Sequence, residues 1–187
     1  MNIESQKKAF INHVATFTDY GNIKIVDFKN PNSENYRIRF LFEEDYCRLH
    51  ISGDLGELIA TNYNNMTFKG FSDFLWNMDY FKEKINCHSR NIYKYNEELA
   101  EKQLLERITE YEWIDNTDLY DCSEDLISDV LDNFSSATGI CASGIDILYD
   151  FDDDVSEWAY DLGKEDTGIL ELYMLAFELA MKQISVC

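Results

Sequence analysis

The sequence predicts an α+β fold in which an N-terminal helix leads into a short antiparallel β-meander and then a mostly helical, acidic C-terminal half. Three observations carry this expectation. Apolar residues recur at helical spacing close to the N-terminus and again in the final segment. Between them lie four short runs rich in β-branched and aromatic residues, each bounded by turn chemistry. Beyond residue 93 the chain becomes polar and acidic, and its remaining apolar positions return at helical intervals.

Ala9, Phe10, Val14 and Phe17 place an apolar face on a helix over residues 4–17, which should stop at Asp19-Tyr20-Gly21-Asn22, where glycine and its polar neighbours supply a turn. Strands follow at 23–28, 36–42, 46–52 and 57–62, separated by Asn-Pro-Asn-Ser, Glu-Glu-Asp and Gly-Asp-Leu-Gly. Arg37 and Arg39 alternate with Tyr36, Ile38 and Phe40, while Arg48 and His50 alternate with Cys47, Leu49 and Ile51. One sheet face should therefore be apolar and the other basic. Helices are expected at 71–76, 80–85, 95–113, 124–134, 155–162 and 165–184 to cover the apolar face. In the last, Ile169, Leu172, Tyr173, Ala176, Leu179, Ala180 and Ile184 line one side, as in a core helix. The single proline, Pro31, falls in a loop.

A chain of 187 residues fits one domain, with 1–93 as helix plus sheet and 94–187 as an acidic helical subdomain. Hydrophobic residues make up 45% and aromatics 14%, enough for a packed interior, so a net charge of −20 does not imply disorder. No apolar run reaches the roughly 18 to 20 residues of a membrane span, and MNIESQKKAF has no apolar signal core. The expected location is the cytoplasm. Cys47, Cys87, Cys122, Cys141 and Cys187 are odd in number and widely spaced, without a CxxC, which suits reduced thiols.

The charge is unevenly distributed. Residues 1–93 carry 11 Lys/Arg and 12 Asp/Glu, whereas residues 94–187 carry 5 and 24. No basic residue occurs between Arg107 and Lys164. Such a segment repels nucleic acid and anionic membranes and attracts a basic protein. With Ser123 as a cap, Asp125, Asp129 and Asp132 share one helical face while Leu126, Val130, Leu131 and Phe134 turn inward. Carboxylates at such steps lie about 5 Å apart, comparable to the charge spacing along a nucleic-acid backbone. The candidate partner-binding set is Glu110, Asp115, Asp118, Asp121, Asp125, Asp129, Asp132, Asp150, Asp152, Asp153, Asp154 and Glu157. The alternative for the same residues is an acidic surface that serves solubility. Trp113, Tyr120 and Trp158 are interleaved with the acids and could anchor a partner, although core burial is the commoner fate of such residues.

Asp150-Phe151-Asp152-Asp153-Asp154 opens like a calcium loop, but Val155 replaces the required glycine and Asp161 the bidentate glutamate. The run reads better as a helix N-terminus, with Asp153 or Asp154 accepting from free backbone NH groups. Cys47 with His50, and Cys87 with His88, are zinc-ligand types at spacings that a strand turns apart. The sequence has no phosphate loop, GxSxG or HExxH, and Ser52-Gly53-Asp54-Leu55-Gly56 reads as a turn. The expectation is a binding protein that is not an enzyme and uses no metal or cofactor.

Leu49-His50-Ile51-Ser52-Gly53-Asp54-Leu55-Gly56, followed by residues 71–76 and Tyr80-Phe81-Lys82-Glu83-Lys84-Ile85, resembles small acidic proteins encoded by bacteriophages of AT-rich bacteria, over residues 35–90. The abundance of Asn, Ile, Lys and Tyr fits that source. The resemblance implies a counter-defence factor, such as an anti-CRISPR protein, inhibiting a CRISPR nuclease or surveillance complex in a bacterial host cell. An immunity or antitoxin protein that neutralises a basic nuclease toxin would use the same acidic surface.

Overall fold

In the computed structural model the described residues are 3–114 and 119–185, with side chains described from Gln6 onward. The chain forms two compact units, Met1–Ile92 with Gly168–Cys187, and Tyr93–Thr167. The fold is α+β, with an antiparallel meander near the N-terminus and helices later. A division at 93/94 groups the last helix with the acidic segment; the contacts instead group it with the sheet.

The first unit opens with α1 (Ile3–Ala9). The helix expected over 4–17 ends there, because Val14 begins β1 (Val14–Asp19), the edge strand of a hairpin with β2 (Ile23–Lys29). Two influences override the helical spacing. Val14, Thr16 and Thr18 are β-branched at alternating positions. Gln183 also ties the segment down, accepting from the Ala15 amide and donating to the His13 carbonyl. At the hairpin tip Gly21 has φ +82°, and its amide donates to Asp19 Oδ1, as the turn chemistry predicts.

The meander continues through β3 (Ile38–Glu43), β4 (Arg48–Gly53), β5 (Leu58–Thr61) and β6 (Ile85–His88), in spatial order β1 to β6. A 3₁₀ turn, Glu44–Tyr46, precedes β4, so that strand starts two residues later than expected. The segment read as a helix over 80–85 divides into α2 (Met78–Lys82) and the start of β6. Phe71 and Phe74 lie on a 3₁₀ helix, Gly70–Trp76.

Alternation works as predicted on the buried face, where Val26, Phe28, Ile38, Phe40, Phe42, Leu49, Ile51, Leu58 and Ala60 are all buried. The helix α6 (Ile169–Ile184) covers them. The Phe177 ring lies 5.2 Å from Phe40, 6.0 Å from Phe42 and 4.9 Å from Phe71, in edge-on arrangements. Tyr173 donates its hydroxyl to the Leu55 carbonyl at 2.9 Å, and burial pushes its pKa up to about 12.

The opposite face is not simply basic. The register sets Asp27 across from Arg39 and Glu43 across from Arg48. Arg39 grips Asp27 with two bonds, at 2.7 and 2.9 Å. Glu43 accepts His50 at 3.0 Å and lies 3.7 Å from Arg48. Period-two reading along one strand finds the cations; their partners sit on neighbouring strands and appear only once the register is known.

The second unit has its own core of Ala100, Leu104, Ile108, Leu126, Val130, Ile145, Leu148, Val155, Ala159 and Leu162. A small ribbon of β7 (Tyr93–Tyr95) and β8 (Lys164–Asp166) closes its ends. Asn96 caps α3 (Glu97–Glu110), its Oδ1 accepting from the Leu99 amide. Next comes α4 (Ser123–Val130), whose N-cap is Cys122 and not Ser123, with no side chain capping it. A helix absent from the sequence reading, α5 (Ala142–Leu148), crosses α4 closely. A Cβ on Gly144 would stand 2.1 Å from the Val130 carbonyl oxygen, so only glycine allows this approach. The segment 155–162 is two 3₁₀ turns, Val155–Glu157 and Ala159–Asp161, in place of one helix.

Candidate functional site

Moving α6 to the sheet sharpens the charge asymmetry. The unit 93–167 holds 22 of the 36 Asp/Glu and 4 of the 16 Lys/Arg, a balance of −18. All four of those cations are engaged with acids of the same unit: Lys164 with Asp161 at 2.6 Å, Lys94 with Glu165 at 2.9 Å, Arg107 with Asp152 at 3.4 Å and Lys102 with Glu106 at 3.7 Å. Asp161 is the main reason the Lys164 ammonium holds its proton more tightly than usual.

Asp125 and Asp129 lie exposed on α4, with Asp132 exposed just past its end, while Leu126, Ile127, Val130 and Leu131 are buried. The predicted separation of acidic and apolar faces holds through Leu131; Phe134 is half-buried and packs against the same core. Helix electrostatics divides the acids into two groups. Glu124 and Asp125 occupy the first turn, where carboxylates favour the dipole. Asp129 sits in the last turn, which holds no cation, and Asp125 and Asp129 repel across one turn. Both effects cost a few tenths of a kcal/mol. Helix electrostatics therefore does not account for Asp129.

Glu110, Asp121, Asp150, Asp153, Asp154 and Glu157 are also exposed. Asp115 and Asp118 lie outside the described residues. Tyr120 links two parts of the set: its hydroxyl donates to Asp129 Oδ2 at 3.1 Å. Burial raises the Tyr120 pKa, and the bond to Asp129 and the charges of Asp129 and Asp150 raise it further.

Asp152 differs from its neighbours. Its side chain is half-buried, and it accepts from Trp158 Nε1 at 2.9 Å, Arg107 at 3.4 Å and the Asp154 amide at 2.9 Å. It is the turn-forming acid, a role the sequence suggested for Asp153 or Asp154. The Arg107 guanidinium also lies 3.9 Å from the Trp158 ring centre. Trp113 is buried and stacks on Phe151 at 5.4 Å. The aromatics among the acids thus build the core of this unit. Among the described residues no three of His, Cys, Asp and Glu converge as metal ligands, and Cys47, Cys87, Cys122 and Cys141 are free thiols. Among the same residues no helix is long and apolar enough to cross a membrane.

The structure adds a feature that the sequence reading missed. A groove of about 510 Å³ runs beside α3 and α4, lined by Glu97, Glu101, Leu105, Glu124, Ile127, Ser128, Leu131, Asp132, Asn133 and Phe134. Of these, only Asp132 belongs to the predicted set. The spacing 97, 101, 105 on one helix and 124, 127, 131 on the other was available in the sequence. That the two stripes border one groove depends on helix packing. No family model, curated protein or solved structure matches the chain.

Proposed function

We propose that this protein is a stoichiometric inhibitor of a positively charged nucleic-acid-binding protein, and that its acidic unit occupies the channel where the target grips nucleic acid. The observation that carries the reading is a balance of −18 confined to residues 93–167, with most of its carboxylates exposed and few cations to neutralise them. Asp129 adds to it: helix electrostatics disfavours a carboxylate in the last turn of α4, and the bond it accepts from Tyr120 leaves it exposed to a partner. A channel that holds a guide and its target must be positive along two phosphate backbones, which makes a CRISPR effector of the bacterial host the target class we favour. Steering by opposite charge makes association fast and salt-sensitive.

The test is a titration of the protein against a purified CRISPR nuclease–guide complex, with binding of fluorescent target DNA as the readout. Inhibition should saturate at a fixed stoichiometry and weaken steeply with salt. Replacing Asp125, Asp129 and Asp132 together with lysine should abolish it, with the melting profile retained. Full potency in that variant would sink the mimicry. Recovery of a basic nuclease toxin from a host lysate would move the target to that class while keeping the acidic surface as the binding site.

A further inference from the structure

The groove beside α3 and α4 has a composition that a plain polyanion does not need. Acids stand along it, Glu97 and Glu101 on α3 and Glu124 at the start of α4, while Leu105 and the half-buried Phe134 present apolar surface; Ile127 and Leu131, which also line it, are buried. Leu105 is 44% exposed, in contrast with Leu104, which is fully buried in the core. A purely electrostatic surface would gain nothing from it. None of Glu97, Glu101 and Glu124 is paired with a Lys or Arg among the described residues. Their negative potential is therefore open to a partner.

We infer that this groove is a docking site for an amphipathic helix of a basic protein, with Lys or Arg flanking a short apolar stripe. Charge complementarity selects the occupant: ammonium or guanidinium groups meet Glu97, Glu101 and Glu124, while one or two aliphatic side chains cover Leu105 and Phe134. Glu97 and Glu101 lie one helical turn apart, about 6 Å along the axis, which matches basic residues at i and i+4 on an incoming helix. The volume, about 510 Å³, is that of a site for a few side chains and not for a whole domain. Apolar contact supplies what charge alone lacks, namely affinity that survives salt and discrimination between basic partners. The inference deepens the proposed function and rests on it, because it names the element of a basic target that this unit would seize.

The experiment uses the full chain and two fluorescent peptides of about 18 residues, or five helical turns. One has Lys at i and i+4 around a Leu stripe, and the other has the same composition scrambled. Anisotropy titrations at low and high salt should show the amphipathic peptide binding one to one, at least about tenfold more tightly than the scrambled one. Leu105→Asp should weaken binding about tenfold, mostly in the part that persists at high salt. Glu97→Gln with Glu101→Gln should weaken it mostly at low salt. Leu105 is partly exposed and both glutamines are conservative, so the two variants guard against a folding artefact in either one. Equal binding of the two peptides, or no effect of either variant, would overturn the groove while leaving the acidic-surface reading intact. Failure of both peptides to bind at low salt would overturn both.

Discussion

The two units treat charge in opposite ways. On the outer face of the sheet cations meet acids on neighbouring strands, Arg39 on Asp27 and Arg48 and His50 on Glu43, and at the hairpin end Lys24 meets both Asp19 and Glu44. The unit 93–167 stacks carboxylates on helices with almost nothing to oppose them. Both nevertheless have cores of buried apolar side chains. Burial of apolar surface stabilises each unit, at about 25 cal/mol per Å², and the charges are free to serve other ends. In the sheet they pair across neighbouring strands; in the acidic unit most stay exposed, and Asp129 opposes the dipole of its own helix.

The largest expected effect tests whether the two cores are independent. Phe177 is fully buried against Phe40, Phe42 and Phe71, so Phe177→Ala should destabilise the sheet unit by about 3–5 kcal/mol. Two probes separate the units. Trp76 is 91% exposed and should change little on unfolding, whereas Trp113 is buried and Trp158 half-buried, so tryptophan fluorescence reports the acidic unit. Circular dichroism reports both. In urea, the Phe177→Ala variant should lose its strand signal early while its fluorescence midpoint stays in place. Coincident shifts of both probes would make the protein one cooperative body and end the contrast of two cores.

The fold was legible where one strand or one helix carries its own signal. Alternation in β3 and β4 identified Ile38, Phe40, Leu49 and Ile51 as interior, and the face of α6 was readable from its apolar spacing. It was illegible where tertiary partners decide. Val14 to Phe17 fit a helix by spacing and became a strand because β2 and Gln183 were there to pair with. Residues 142–148 gave no strong helical stripe, and they form α5 because Gly144 lets the helix press against α4. The same division holds in the site. The exposed stripe of Asp125 and Asp129 needs only one helix to be seen, whereas the role of Asp152 depends on Arg107, 45 residues away in sequence.

A second, intermediate effect concerns a histidine on the sheet unit that burial drives away from its charged form. His13 is 5% exposed, with Phe10 and Phe28 rings 5.1 Å away. Its Nε2 lies 3.2 Å from the Tyr36 carbonyl, and its Nδ1 is buried with no hydrogen-bond partner among the described residues. Desolvation lowers its pKa below the ordinary 6.5, outweighing the bonds to the Tyr36 and Asn35 carbonyls. The sign follows. Above about pH 6.5 neither state is protonated and the full stability is present. Below it the unfolded chain takes up a proton that the folded one refuses, so stability falls as pH drops toward the depressed value. Urea titrations at pH 7.5 and 5.5 should show a loss in the wild type that His13→Gln lacks. An equal loss in both would place the pH sensitivity elsewhere.

The smallest effect bears most directly on why the two units differ. Ser128 is exposed on α4, one turn after Glu124 and one turn before Asp132. Ser128→Lys would set an ammonium beside both carboxylates, with Glu124 in the favourable N-terminal position. It should stabilise the acidic unit by about 0.2–0.5 kcal/mol at low salt. The gain should shrink at high ionic strength, where exposed pairs are screened. The same lysine would line the groove, so it should also weaken capture of a basic amphipathic helix. A variant that becomes more stable and binds less well would show stability and binding opposed at a single surface position. If binding were unchanged while stability rose, the missing cations of α4 would have no functional use, and the contrast between the paired sheet and the unpaired helices would reduce to a difference in solvation.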